Sequence, residues 1–160
     1  MTIRSFRFTN KKSFLKKFLK INNSHYEKKL GPNLKECFKV PYYNIDSNKI
    51  SMIMTTSAGR IACSILVEPL KHECIIWDVC TGSRYRSQGC MKELFKHMFK
   101  FFNRYHRFSL SVYKNNTGAI SFYKKMGFKI ISEFEGPEGP AYKMLCELEI
   151  LGNLNIRCSW

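Results

Sequence analysis

Arg84-Tyr85-Arg86-Ser87-Gln88-Gly89 is a short polar stretch with two arginines and a glycine, set between two apolar segments. The segment before it, Ile75 to Thr81, is rich in β-branched and aromatic residues and predicts a strand. The segment after it repeats apolar residues at Met91, Leu94, Phe95, Met98, Phe101 and Phe102, which is helical spacing. A strand that turns tightly into a helix leaves the first N–H groups of the helix without partners, at the positive end of its dipole. That arrangement takes an anion, most naturally a phosphate. Gly89 permits close approach of the backbone, and Arg84 and Arg86 add charge. The plain alternative is an ordinary strand-to-helix turn with solvated arginines.

Asp78 is the second residue of chemical interest. It interrupts an apolar strand, where a carboxylate is costly without a partner. Either it serves a substrate or it pairs with a neighbouring strand, through Arg60 or a lysine. Glu73, Glu133 and Glu135 are secondary acids, and His72 reads as a loop histidine. The cysteines are Cys37, Cys63, Cys74, Cys80, Cys90, Cys146 and Cys158. Their number is odd and no CxxC pair occurs, so the reading is reduced thiols and no metal site. Most act as small hydrophobes in apolar runs; Cys158 is the expected exposed thiol. Cys80 and Cys90 flank the turn, but no histidine neighbours them in sequence to activate a thiolate.

These residues need a scaffold, and 160 residues suffice for one domain with a real core. Ile3–Phe8 predicts a first strand. Lys11–Ile21 predicts an amphipathic helix with Lys11, Lys12, Lys16, Lys17 and Lys20 on its polar face, and Ser24 caps a second short helix to Leu30. Leu34–Val40 is another helical turn and Pro41–Lys49 a loop. Ile50–Thr56 and Ile61–Val67 predict a hairpin around Ser57–Arg60. After the long helix come a strand at Phe108–Tyr113, a helix at Thr117–Met126 closed by Gly127, and a strand at Phe128–Phe134. Glu135–Pro140 reads as a loop, Ala141–Ile150 as a final strand, and residues 151–160 as a tail. The order implies a mixed α/β sheet with helices on both faces. Ligands in such sheets favour the carboxyl ends of parallel strands, here those ending at Thr81 and Tyr113. The formal charge of +15 favours anionic partners. The lysine face of the first helix is the natural nucleic-acid candidate, but no nucleic-acid motif accompanies it, and a solvated helix face is preferred. No apolar run reaches membrane-span length and no signal-peptide core opens the chain, which predicts a soluble, cytoplasmic protein.

Two segments resemble the GNAT superfamily of acetyl-CoA-dependent N-acetyltransferases. Arg86-Ser87-Gln88-Gly89-Cys90-Met91 resembles its pyrophosphate-binding pattern [QR]-x-x-G-x-[GA]. Asn116-Thr117-Gly118-Ala119-Ile120-Ser121-Phe122-Tyr123-Lys124-Lys125-Met126-Gly127-Phe128 is similar, without gaps, to its N-x-x-A-x-x-[FL]-Y-x-x-x-G-F segment. The second is much the more specific. Met91 departs from the pattern, which has Gly or Ala there, and a side chain at that position would crowd the pyrophosphate.

The resemblance implies residues 1–150 as one GNAT domain, a mixed and mostly antiparallel sheet with two splayed central parallel strands. It implies that acetyl-CoA is held by backbone groups of Val79, Cys80 and Thr81 along the pantetheine arm, and by Arg86, Ser87, Gln88, Gly89, Cys90 and Met91 at the pyrophosphate. Tyr123 would lie near the sulfur as the acid for the departing thiolate; its plain alternative is a core aromatic beside Phe122. Asn116 would contact the cofactor or cap the helix, with Thr117 as rival cap. Asp78 would bind the acceptor ammonium or take its proton. The acceptor implied is a protein amino group or a small cationic amine, a phosphorylated amino sugar also being compatible. The rival function is a catalytically silent GNAT-like binding module. The sequence leaves the oligomeric state open, a homodimer included.

Overall fold

The computed structural model describes residues 6–9, 49–56, 60–151 and 155–157. The expected helices at Lys11–Ile21, Ser24–Leu30 and Leu34–Val40, the tip of the turn at residues 57–59, and Cys37 and Cys158 lie outside the described residues. The chain divides into two compact units: residues 1–68 with 78–98, and 69–77 with 99–160.

The first unit holds three antiparallel strands. β1 (Phe6–Thr9) pairs with β2 (Ile50–Thr56), Phe6 opposite Thr56, and β2 pairs with β3 (Ile61–Pro69), Ile50 opposite Val67. The register slips between Met54 and Thr55, so that Ala62 is the extra residue of a bulge on β3. Every residue from Ile61 to Val67 is buried. A strand covered on both faces reads as a continuous apolar run, not as an alternation, and Ile61-Ala62-Cys63-Ser64-Ile65-Leu66-Val67 is such a run. The unit continues with the second half of β4 (Cys74–Thr81), a 3-10 turn at Ser83–Tyr85, and α1 (Cys90–Phe101) as far as Met98. The Gly82 N–H donates to the Ala62 carbonyl at 2.9 Å, fixing the end of β4 against the bulge of β3.

The second unit begins with the first half of β4. β5 (Arg107–Tyr113) runs parallel to it, with Cys74, Ile75 and Ile76 opposite Phe108, Ser109 and Leu110. α2 (Thr117–Lys125), β6 (Lys129–Gly136) and β7 (Gly139–Glu147) follow; β5 and β6 both pair antiparallel to β7. The architecture is therefore mixed α/β, mostly antiparallel with one parallel pair, and that pair spans only three residue couples. Phe99 of the last turn of α1 stacks edge-on against Phe108 at 4.9 Å and lies 6.5 Å from Phe128, joining helix, strand and the start of β6 in one aromatic core.

Four details differ from the sequence reading. The buried stripe of α1 is Met91, Leu94, Phe95, Met98, Phe99 and Phe102, whereas Phe101 is 48% exposed; at 3.6 residues per turn Phe99, not Phe101, follows Phe95. Trp77 is also exposed, so β4 is not a wholly buried strand. Glu135–Pro140 is no open loop: β6 and β7 close on each other with Gly136 opposite Gly139 around Pro137-Glu138. Gly136 is required there, since a Cβ would meet the Tyr113 ring at 3.0 Å. Finally, β7 stops at Glu147. Glu149–Leu151 (β8) and Asn155–Arg157 (β9) form a separate small hairpin where one long strand and a tail were expected.

Candidate active site

The segment from Asp78 to Met91 lies in the first unit and is built as expected: strand, tight turn, helix. Val79 and Thr81 are half-buried and Cys80 is buried at the end of β4. The chain then makes one 3-10 turn and returns to extended backbone at Arg86. Ser87 (φ +58°) and Gly89 (φ +79°) both take left-handed conformations. For Ser87 this costs on the order of 1 kcal/mol, a strain typical of ligand-holding turns. At Gly89 nothing lies within 4 Å of where a Cβ would stand, so the glycine serves its dihedral angle and leaves the outer side open.

The turn is pinned from within. The Gln88 side-chain amide donates to the Arg84 carbonyl at 2.7 Å, and the Cys90 thiol donates to the Tyr85 carbonyl at 3.4 Å. Tyr85 and Cys90 are buried, whereas Ser83, Arg84, Arg86, Ser87 and Gly89 face solvent. Glu93 N–H donates to the Gly89 carbonyl at 3.0 Å, which makes Gly89 the residue that starts α1. The helix itself then supplies no acceptor for the N–H groups of Cys90, Met91 and Lys92. Gly89 has no side chain to cap them. Met91, the one departure from the family pattern, is buried, its side chain packed in the core.

The cysteines around this turn are structural. Cys63, Cys80 and Cys90 are buried. A hydrogen bond with Cys90, together with burial, pushes the Cys63 thiol up. The same contact, with the N–H groups of Met91 and Cys90, lowers the Cys90 thiol although burial opposes it. Cys90 is only 1% exposed, out of reach of a substrate.

Asp78 is half-buried, and desolvation raises its carboxyl above the ordinary range, the charge of Lys49 opposing. A lysine is therefore its cationic neighbour; Arg60 stands exposed, with its own N–H on the Thr56 hydroxyl at 3.2 Å.

Asn116 and Tyr123 lie in the second unit, on α2. Asn116 is a cap: its Oδ1 accepts from Ala119 N–H at 3.3 Å and its carbonyl accepts from Ile120 N–H at 3.1 Å. The rival cap, Thr117, is instead the first helical residue. Tyr123 is buried, its ring 5.7 Å from Phe122 and 6.0 Å from Phe128. Phe128 N–H donates to the Tyr123 carbonyl and Gly127 N–H to the Lys124 carbonyl, the hydrogen-bond pattern of a glycine-closed helix end. That closure fixes the helix turn carrying Tyr123. Of the secondary acids, Glu133 is bound to Lys114, whose ammonium it holds in the charged form, and Glu73 belongs to the β3–β4 connection.

Among the described residues no group of three or more His, Cys, Asp or Glu is placed to hold a metal ion, and no helix is long and apolar enough to cross a membrane. Sequence reasoning passed over Lys71, Arg104 and His106 and left His72 as a loop histidine. These four line a cavity, and only the parallel pairing of β4 and β5 brings their two segments together.

The family model for the acetyltransferase (GNAT) family matches residues 19–128. The chain belongs to that family. It is 31% identical over 103 residues to the probable N-acetyltransferase san of Drosophila melanogaster, covering 62% of this chain and 50% of that protein. It is 28% identical over 75 residues to the L-amino acid N-acetyltransferase AaaT of Escherichia coli K12, covering 45% and 46% respectively. The chain thus spans about half the length of the curated relatives it matches. Among solved structures, the Escherichia coli ribosomal-protein-S18-alanine N-acetyltransferase matches with a TM-score of 0.67 at 17% identity, over 95% of this chain and all of that one. The PaiA N-acetyltransferase of Thermoplasma acidophilum, solved with coenzyme A, matches with a TM-score of 0.65 at 14% identity, over 89% and 99%. At these identities the structural matches establish the fold.

Proposed function

We propose that the chain is a soluble, cytoplasmic N-acetyltransferase that moves the acetyl group of acetyl-CoA to an amine by direct attack. The observation that carries this reading is the opening of α1. In a chain of this family, the stretch Arg86–Met91 passes through a left-handed Gly89 into the start of α1, whose first N–H groups have no acceptor within the helix. Those donors fit a pyrophosphate. The buried side chain of Met91 removes the objection that this residue would crowd the anion, so the silent-module alternative is not favoured.

Bound acetyl-CoA would supply an activated acetyl thioester. The turn Arg86–Met91, with Arg84 nearby, would hold its diphosphate. Backbone groups of Val79, Cys80 and Thr81 would run along the pantetheine arm, an N–H near Val79 polarising the acetyl carbonyl. Asn116 supports this machinery by holding the start of α2. Tyr123, a phenol, would protonate the departing thiolate. Asp78 would take the acceptor's proton. Burial raises its carboxyl, which makes it a better base than a solvated aspartate, and the charge of Lys49 opposes the rise.

For the acceptor we favour a protein amino group or a small cationic amine. By name, one relative is an L-amino acid N-acetyltransferase and one structural neighbour acetylates a protein alanine. Calorimetry with acetyl-CoA tests the cofactor, and no binding at high micromolar concentration would sink the reading. A thiol-release screen across peptides, amino acids, polyamines and amino sugars then identifies the acceptor.

A further inference from the structure

The turn of the proposed active site follows the carboxyl end of β4. At its amino end the second unit has a cavity of about 480 Å³ lined by Leu70, Lys71, His72, Arg104, Tyr105 and His106. Two connections build it. Leu70–His72 lead into β4, Arg104–His106 lead into β5, and the parallel pairing of these strands sets the connections side by side. Both are held by backbone bonds: Leu70 N–H to the Glu73 carbonyl at 2.8 Å, Tyr105 N–H to the Phe102 carbonyl at 2.9 Å, and Leu148 N–H to the His106 carbonyl at 2.8 Å.

The lining is one-sided in charge, with no carboxylate among the six residues. Three other cations of this chain meet acids: Lys96 with Glu93 at 2.8 Å, Arg107 with Glu147 at 3.1 Å, and Lys114 with Glu133. Arg104, three residues before Arg107, has no such partner among the described residues; its guanidinium lies 5.2 Å over the Tyr105 ring. Its field reaches inward as well: burial pushes the Cys74 thiol up to about 12, with Arg104 opposing and Glu73 adding to the rise. Glu73, next in the chain to His72, is outside the lining.

We propose that this cavity is a second anion site that binds a small phosphate monoester. Arg104 and Lys71 hold the phosphoryl oxygens, His72 and His106 donate hydrogen bonds to them, and the carbon portion lies against Leu70 and Tyr105. Arginine offers a planar fork that matches phosphoryl oxygens two at a time. A bare phosphate ion would leave most of such a cavity empty; its volume lies within the range of about 300–1,000 Å³ usual for small-ligand sites. The site is separate from acetyl transfer and does not depend on it.

The test is a titration of the isotope-labelled 160-residue chain with glycerol phosphate and with inorganic phosphate, following the imidazole signals of His72 and His106 by NMR. Acetyl-CoA, itself a phosphate monoester at its ribose, is left out, and ionic strength is held with chloride. Saturable shifts with a midpoint of about 1 mM or below are expected for the ester, with free phosphate weaker. Arg104→Gln and His106→Gln should each raise the midpoint about tenfold, the His72 signal serving as reporter in the second. Shifts that do not saturate, or an unchanged midpoint in Arg104→Gln, would overturn the site. Equal midpoints for the two probes would overturn the ester. The wild-type titration stands even if a variant folds poorly.

Discussion

α1 and α2 both follow a strand and a short polar turn, and both begin with the positive end of a helix dipole. Their first amides are treated in opposite ways. At α2 the Asn116 side chain turns back and satisfies Ala119 N–H. At α1 the corresponding residue is Gly89, which has no side chain, and two left-handed residues swing the preceding chain aside. The same local architecture therefore gives a closed helix start in one place and an open one in the other. The family's two sequence signatures fall on these two starts, and the one without a side-chain cap is the one proposed for the anion. The closed one instead holds a helix steady under Tyr123.

This division of labour can be broken by substitution. The largest effect should come from Tyr123→Phe, which keeps the ring packing against Phe122 and Phe128 and removes only the hydroxyl. Turnover should fall about 100-fold with acetyl-CoA affinity within twofold. Steady-state kinetics beside calorimetry check it, and unchanged turnover would remove Tyr123 as the acid. Next is Gly89→Val, a β-branched residue at φ +79°. Strain of about 1–3 kcal/mol should close or distort the open start and weaken acetyl-CoA binding about tenfold or more. If affinity stayed put, α1 would not be the anion site.

Asn116→Ala should do the reverse, lowering stability by about 1 kcal/mol in a denaturant melt while leaving acetyl-CoA affinity within twofold. A matching loss of affinity would show that α2's start is used as α1's is. The smallest effect is on stability at Asp78. Burial raises its carboxyl in the folded chain, so the stabilising contribution belongs to the protonated form. It is fully present below the unfolded pKa and lost as pH rises through the raised folded value. Asp78→Asn should therefore be more stable than the parent at neutral pH, by less than about 1 kcal/mol since the group is half-solvated, with no gain at about pH 3. Equal melting curves at both pH values would show that the desolvation is compensated.

Much of this was legible in the sequence because it is written in local chemistry. Ile50–Thr56 is a strand by composition, Gly127 closes a helix because its neighbours are helical, and Arg86–Met91 is a turn because a glycine interrupts two apolar patterns. What was hidden depends on partners distant in the chain. Glu135–Pro140 has the prolines and glycines of a loop, and only the pairing of β6 with β7 shows that two residues suffice to turn it. Phe99 and Phe101 are alike in type, and the identity of the buried one follows from the phase of the helix set at Met91. Asp78 gave its burial cost away but not its neighbour, since Lys49 is 29 residues earlier. Arg104 and His72 were invisible as a pair because only a parallel crossover joins their segments.

The buried thiols have a consequence of another kind. Cys63, Cys80 and Cys90 fall in the first unit, and Cys74 and Cys146 in the second, each shielded from solvent. A shielded thiol meets an alkylating reagent only when its surroundings open. The chain therefore carries a natural set of clocks, three timing the breathing of the turn and its strands and two timing the sheet around β5 and β7. With mass spectrometry to resolve each cysteine, the labelling rates would show whether acetyl-CoA quiets one half of the molecule more than the other.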